Sequence, residues 1–328
     1  MSEWYPRVVK IGKIEKHENA DSLSITDIEG YPVIFKTGGF NEGDLAGYIP
    51  IDTLVPKTEQ FAFLDGHRRI RASRLRGIFS MGLLVPVSQD KNVGDSIVDE
   101  FQLTKFVPPE EINIDMGTIK NPGWMAEYTD IESWRRHKNL FAPDDMIVIT
   151  EKIHGMNFRC VYKDGKFWVG SHHKIKEFPH DNVFAKTAER IGLHEKLKGF
   201  DNIVFYGELC GPGIQRKKNV HFTYGLKEPD IIFYDIFDRN TNRYLDSDES
   251  KIFIEIQGLK YVPIISRIKG SELTPELIQE LSNGKSLLDD HVREGIVIKT
   301  HRETMAPRLP QCRKMVKFVG EAYLLLKS

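Results

Sequence analysis

The first hundred or so residues are built from short alternating apolar runs, the pattern of a small all-β module. Val9 and Ile11, Leu23 and Ile25, Val33 and Phe35, Tyr48-Ile49 and Leu83-Leu84-Val85 are short apolar groups. They are punctuated by Glu29-Gly30, Asn41-Glu42-Gly43 and Asp65-Gly66, which are turn formers. About five strands in this length suit a closed barrel of OB type better than a sandwich, because closure removes the edges that so few strands would expose. Within this module lies the run Arg68-Arg69-Ile70-Arg71-Ala72-Ser73-Arg74-Leu75-Arg76. Read as a strand, it puts Arg69, Arg71 and Ser73 on one face, either a basic edge that resists pairing or a groove that tracks phosphates. Arg69, Arg71 and Arg74 are the candidate nucleic-acid contacts, and residues 1–107 are expected to form an OB-fold nucleic-acid-binding domain.

A hydrophilic, proline-marked stretch from Val107-Pro108-Pro109 to Asn121-Pro122-Gly123 closes the module. The chain of 328 residues accommodates a second domain at the usual size of roughly 150 residues each. We place it at 116–328, where the pattern changes to mixed α and β. A helix is expected from Asp181 to Leu197, and another opens at Thr274-Pro275 and closes near Gly284. Apolar strands run through Met146-Ile147-Val148-Ile149, Ile203-Val204-Phe205-Tyr206, Ile231-Ile232-Phe233-Tyr234 and Gly295-Ile296-Val297-Ile298. The expected class is α+β. Lys+Arg 46 against Asp+Glu 47 leaves a formal charge of -1, so affinity for a polyanion would have to come from local patches. Three dispersed cysteines, Cys160, Cys210 and Cys312, exclude a Cys-based zinc site and suggest free thiols in a reducing compartment. With no apolar signal core and no run near ~18 apolar residues, the expectation is a soluble, cytoplasmic protein, without membrane contact.

The chemistry concentrates at Thr150-Glu151-Lys152-Ile153-His154-Gly155-Met156-Asn157-Phe158. It follows the apolar strand ending at Ile149 and precedes a hairpin, Phe158 to Tyr162 and Phe167 to Val169, whose Asp164-Gly165 is a favoured tight turn. A lysine fixed between two strands, with a glycine three residues on that leaves room for a phosphate, suits a nucleophilic amine. Such an amine must lose its proton, so cations or a metal nearby must lower its pKa.

Further motifs follow in order: Phe205-Tyr206-Gly207-Glu208-Leu209-Cys210-Gly211, Ile231-Ile232-Phe233-Tyr234-Asp235-Ile236, Arg293-Glu294-Gly295-Ile296-Val297-Ile298-Lys299, and Arg313-Lys314-Met315-Val316-Lys317. The set resembles the collinear motifs of the covalent nucleotidyltransferases, which include ATP-dependent DNA and RNA ligases and mRNA capping enzymes. Glu-Lys-Ile-His-Gly with Asn-Phe, and Gly-Glu-Leu-x-Gly-Pro-Gly-Ile-Gln from Gly207 to Gln215, look like the RNA ligase 2 branch. With an OB module in front, the whole chain resembles the RNA ligase family of the Deinococcus and Naegleria type.

The resemblance implies ATP as cofactor with Mg2+ or Mn2+, and RNA with 5′-phosphate and 3′-OH ends, at nicks in duplexes, as substrate for a monomeric enzyme. It implies that Lys152 attacks the α-phosphate of ATP to form lysyl-AMP, that AMP passes to the RNA 5′-phosphate, and that a 3′-hydroxyl then displaces AMP. Glu151 and Ile153 flank the lysine in the nucleotide pocket. Glu208 matches the acid that binds ribose, Tyr234 the ring that stacks on adenine, and Glu294 the metal carboxylate. The last motif departs from the family, which has two lysines two residues apart, because Met315 stands at the earlier position. Lys317 is the α-phosphate candidate, with Lys299 as its companion and Lys314 or Arg313 as alternatives. A second departure is Gly170-Ser171-His172-His173, where relatives place an arginine after the serine; His172 takes that position as a nucleic-acid contact, only partly charged at neutral pH.

Rival readings belong to other classes. The run His17 to Leu23 resembles OB modules that bind tRNA, which suggests an adaptor with a degenerate transferase domain, but Lys152, Glu208, Glu294 and Lys317 are intact. A GTP-using capping guanylyltransferase would carry K-x-D-G and a C-terminal OB domain. A DNA ligase is disfavoured by His154, where those enzymes usually have Asp.

Overall fold

The computed structural model describes residues 4–107, 117–120, 123–215 and 222–326. Residues 108–116 and 121–122 of the expected linker, including the expected start of the second domain at 116, lie outside the described residues. The chain divides into two compact units, Met1–Pro108 with Leu324–Ser328, and Pro109–Tyr323.

The first unit is built from short antiparallel strands. Arg7–Lys10 pairs with Leu45–Ile49, which pairs with Leu83–Pro86, while Ile14–Lys16, Leu23–Ile28 and Tyr31–Lys36 form a meander. Val8, Ile49, Val55, Phe61, Ile97 and Phe101 fill one cluster, and Val9, Ile11, Ile28, Val33 and Tyr48 a second. One face is reversed from the apolar pattern: Ser24, Thr26 and Ile28 are buried, whereas Leu23 and Ile25 are half-buried. Hydrogen bonds make this tolerable, because the Thr26 hydroxyl donates to the Lys13 carbonyl and Ser24 meets Thr37.

The basic run 68–76 is strand only at Ser73–Leu75, paired with Ile78–Ser80. Alternation holds from Ile70 to Ser73, with Ile70 and Ala72 buried and Arg71 exposed, and it ends at Arg74, which is exposed where strict alternation would bury it. Arg69 is occupied. Its Nε donates to Asp52 at 3.0 Å and its guanidinium lies 3.9 Å from the centre of the Phe106 ring.

The second unit contains two antiparallel sheets. The larger runs through Thr118–Ile119, Ile175–Lys176, Lys166–Gly170, Met156–Lys163, Ile203–Cys210, Asp230–Asp238 and Arg243–Tyr244, with Lys260–Tyr261 added in parallel to Asp230–Asp238. The smaller has the order Ile264–Lys269, Met146–Lys152, Gly295–Thr300, Met315–Val319. Helices Val183–Arg190 and Ser247–Ile256 pack on one face of the larger sheet through Phe184, Ala188 and Ile254, against Phe158, Phe205 and Phe233. The smaller sheet buries Ile147, Ile149, Ile296, Ile298, Val316 and Phe318 on its far side, with Ile278 of helix Pro275–Ser282. The remaining faces approach each other around Tyr206, Val297 and Met315.

Local chemistry accounts for most of these elements. The hairpin closes as expected, with Lys163 opposite Lys166 and positive φ at Asp164 and Gly165. Thr274 caps helix Pro275–Ser282 by accepting from the Leu277 amide. The single helix expected from Asp181 to Leu197 is two, Val183–Arg190 and Leu193–Lys196, broken where Gly192 takes φ 66°. Periodicity continues across that glycine, but a left-handed residue cannot belong to a right-handed helix.

Candidate active site

Strand Met146–Lys152 continues three residues beyond its apolar run, so Lys152 is its last residue rather than part of a loop. Alternation sends Ile147 and Ile149 into the core and leaves Val148, Thr150 and Lys152 on the opposite face. Lys152 lies opposite Gly295 on the neighbouring strand, which begins one residue after Glu294. The lysine Nζ lies 2.8 Å from Glu294 Oε1. Burial alone would lower the lysine pKa, but the carboxylates of Glu294 and Glu208 outweigh it and hold the ammonium above its usual range. Glu208 is pushed up to about 8, first by burial, with Lys152 opposing and Glu294 adding to the rise.

Gly155 fixes this arrangement for a reason other than room for a phosphate. A Cβ at Gly155 would sit 2.4 Å from the Leu209 carbonyl oxygen and 2.8 Å from Glu208 Cγ. The glycine thus lets the lysine segment lie directly on the strand that carries Glu208. His154 locks the same segment from behind. Its amide donates to the Tyr224 hydroxyl at 2.6 Å, its Nδ1 is 2.8 Å from the Tyr323 hydroxyl, and its ring packs on Phe222. Ile153 is buried among Cys210, Phe222, Tyr224 and Ile232.

Tyr234 interrupts its strand. Tyr206 pairs with Asp235 and Gly207 with Phe233, so Tyr234 is the extra residue of a β-bulge. Strict alternation would place Ile232, Tyr234 and Ile236 on one face and Phe233, Asp235 and Phe237 on the other. The bulge shifts the phase instead: Ile236 joins Phe233 in the helix-covered core, and Asp235 turns to the side of Tyr234. The Tyr234 hydroxyl accepts from Asn157 Nδ2 at 2.6 Å, and its ring meets Tyr128 edge-on at 4.9 Å.

Asp235 is fully buried at the centre of a network that the sequence does not announce. It accepts from the Tyr128 hydroxyl at 2.8 Å, from Arg313 Nη2 at 2.8 Å and from Lys299 Nζ at 3.4 Å. Arg313 also binds Glu303 at 2.7 Å and lies 3.5 Å over the Tyr244 ring. Against burial, Arg313, Lys299 and the Tyr128 hydrogen bond keep Asp235 below the usual carboxylate range. Lys299 also donates to the Tyr234 carbonyl, which puts it beneath the bulge. Lys314 is paired with Asp145 at 2.6 Å and Met315 is buried beneath Tyr128. Of the closing motif, Lys317 therefore lies nearest the nucleophile. It stands opposite Val297, and burial followed by the charge of Lys152 lowers its pKa.

Glu151 points away from Lys152. Its Oε2 accepts from the Leu287 amide at 2.8 Å, and its buried Oε1 has no donor among the described residues. His172 lies outside this cluster, in the turn after strand Lys166–Gly170, with its ring 4.2 Å from that of His173. Within the second unit the structure thus brings together Lys152, Glu208, Glu294 and Lys317, joins Tyr234 to Lys299 through Asp235, and leaves His172 outside the cluster. Asn157 and Asp235 also stand around Tyr234, although the sequence assigned neither of them a role. Asn157 is part of the Asn-Phe pair that follows the lysine motif, and it lies on the strand that begins at Met156.

Comparison with known proteins gives the family and the fold. An RNA ligase family model matches residues 145–319, and an OB-fold domain model matches residues 6–87. A Naegleria gruberi RNA ligase solved with pyrophosphate superimposes with a TM-score of 0.79 at 23% identity, covering 98% of each chain. A variant of that ligase solved with ATP and Mn superimposes with a TM-score of 0.79 at 24% identity, again over 98% of each chain. Likeness at this identity shows the fold: an N-terminal OB domain followed by a nucleotidyltransferase domain. No curated protein matches the sequence. The RNA ligase model spans more than half of the chain and contains the lysine, both glutamates and the closing lysine, and on that match this chain belongs to the RNA ligase family.

Proposed function

We propose that this chain is an ATP-dependent ligase that joins RNA 3′-OH and 5′-phosphate ends at nicks in duplexes, through lysyl-AMP and RNA-adenylate intermediates, with Lys152 as the nucleophile. The observation that carries the reading is the contact of Lys152 with Glu294, beside Glu208 and Lys317. In the resting arrangement the ammonium is capped by its counter-ion and is no nucleophile. Release of Glu294 from that pair removes the larger of the two carboxylate charges that hold the proton and leaves Glu208 alone to oppose burial, so the same residues that hold the amine inactive can free it.

Glu208 would bind the ribose hydroxyls, and Tyr234, held by Asn157, would stack on the adenine. Glu151 and Ile153 would border the base, where the unpartnered Glu151 Oε1 is suited to accept from an exocyclic amine. Lys317 would contact the α-phosphate. Lys299 would act through Asp235 and the Tyr234 carbonyl, holding the bulge in place. Carboxylates are hard oxygen donors, so the partly exposed Glu294 suits Mg2+ or Mn2+, which when bound would offset charge on phosphate oxygens.

We assign substrate contacts to residues 1–107, through Arg71 and Arg74 more than through Arg69, whose charge Asp52 already meets. Residues 116–328 would make lysyl-AMP. His172 would stand near the RNA. We take the enzyme to be a cytoplasmic monomer; its three cysteines are free, and no helix among the described residues is long and apolar enough to cross a membrane.

The test is sealing. A duplex with an RNA 3′-OH strand abutting a labelled 5′-phosphate strand should be joined in the presence of ATP and Mn2+, and the same strands with a 5′-OH should not. Joining only of DNA ends, or with GTP in place of ATP, would overturn the reading.

A further inference from the structure

The loop between strands Lys166–Gly170 and Ile175–Lys176 has a feature the ligase chemistry does not use. Two consecutive histidines in an extended strand point to opposite faces. Here the Ser171 amide donates to the Lys174 carbonyl at 2.8 Å, closing a tight turn, and both rings lie together, 4.2 Å between centres. Glu127 faces them, with its Oε2 2.9 Å from His173 Nδ1. One ligand atom from each of Glu127, His172 and His173 lies within 4.8 Å of the other two.

We propose that Glu127, His172 and His173 form a binding site for a dication of the zinc class, separate from the carboxylates around Lys152. Two imidazole nitrogens and one carboxylate oxygen are the donor set preferred by Zn2+, Co2+ and Ni2+, whereas Mg2+ favours oxygen alone. Zinc holds such ligands at about 2.0–2.2 Å, so the three side chains need only small rotations to converge on one ion. A site with three protein ligands keeps a further position for water or an anionic oxygen.

The surroundings favour a cation. Asp130 and Glu127 both act on His172, and the buried Arg159, bonded to the Met125 carbonyl, offsets part of the charge of Glu127. Glu127 and His173 are exposed and His172 is half-buried, so an ion can enter from solvent and replacing these residues spares the core.

The test is calorimetric titration of the full chain with Zn2+ in buffer containing millimolar Mg2+, which occupies oxygen-lined sites without competing for imidazole. The wild type should bind one zinc equivalent more than the His172→Ala/His173→Ala variant, and Glu127→Gln should weaken that equivalent by tenfold or more. Co2+ in place of Zn2+ should give visible absorption that the double variant loses while its circular dichroism stays unchanged. Equal zinc stoichiometry and affinity in wild type and double variant would overturn the proposal. So would undiminished binding by Glu127→Gln.

Discussion

Gly155→Ala isolates the contact on which the nucleophile's position depends. The new methyl would lie 2.4 Å from the Leu209 carbonyl oxygen and 2.8 Å from Glu208 Cγ, and real Cβ contacts essentially never fall below 3.0 Å. Relief against the carbonyl therefore needs a movement of at least 0.6 Å, the difference between 3.0 and 2.4 Å. That oxygen belongs to a strand paired on both sides, so the segment from Lys152 to His154 is the part that yields. Overpacking of this kind costs roughly 1–3 kcal/mol, and each kcal/mol lowers Tm by roughly 2–4 °C in a domain of this size. Displacement of a reacting group by the order of 1 Å costs about 10²-fold in rate. Labelling of the chain by α-labelled ATP should therefore slow by about two orders of magnitude, while circular dichroism shows a folded protein with a modestly lowered Tm. If the variant labels within threefold of the wild-type rate, Gly155 does not position Lys152 and the reasoning fails.

Stability should carry the signature of Glu208. Its carboxyl is pushed up to about 8 against an ordinary 4.5, so its contribution is complete below pH about 4.5 and is lost as pH rises through about 8. Glu208→Gln should remove part of the fall in Tm between pH 5 and pH 8.5, and parallel Tm profiles for the two proteins would contradict this. Arg313→Ala leaves Asp235 buried with its main cation removed, which should cost about 3–5 kcal/mol by denaturant titration. Arg71→Ala with Arg74→Ala should lower the salt dependence of RNA binding by roughly one log unit per log unit of salt for each phosphate no longer neutralised, and more than Arg69→Ala does.

What the sequence disclosed was local or collinear. The lysine strand, the Asp164-Gly165 hairpin and the Thr274-Pro275 helix start each follow from a few adjacent residues. The order of the nucleotidyltransferase motifs unites Lys152, Glu208, Glu294 and Lys317 in one expectation without knowledge of any contact. Features set by distant partners were illegible. Asp235 reads as a polar residue in an apolar strand, and only its bonds to Tyr128, Lys299 and Arg313, up to 107 positions away, explain its burial. The bulge at Tyr234 depends on the register of Ile203–Cys210, which no alternation within Asp230–Asp238 encodes. Arg69 likewise reads as a free cation until Asp52 and Phe106 fold against it.

The central claim is that Lys152 carries the nucleotide. Incubation of the full chain with ATP and Mn2+, digestion, and mass spectrometry of the peptides tests it most directly. AMP should be attached to Lys152 alone, with none on a Lys152→Ala chain that remains folded. AMP on another lysine, or undiminished labelling of Lys152→Ala, would contradict it.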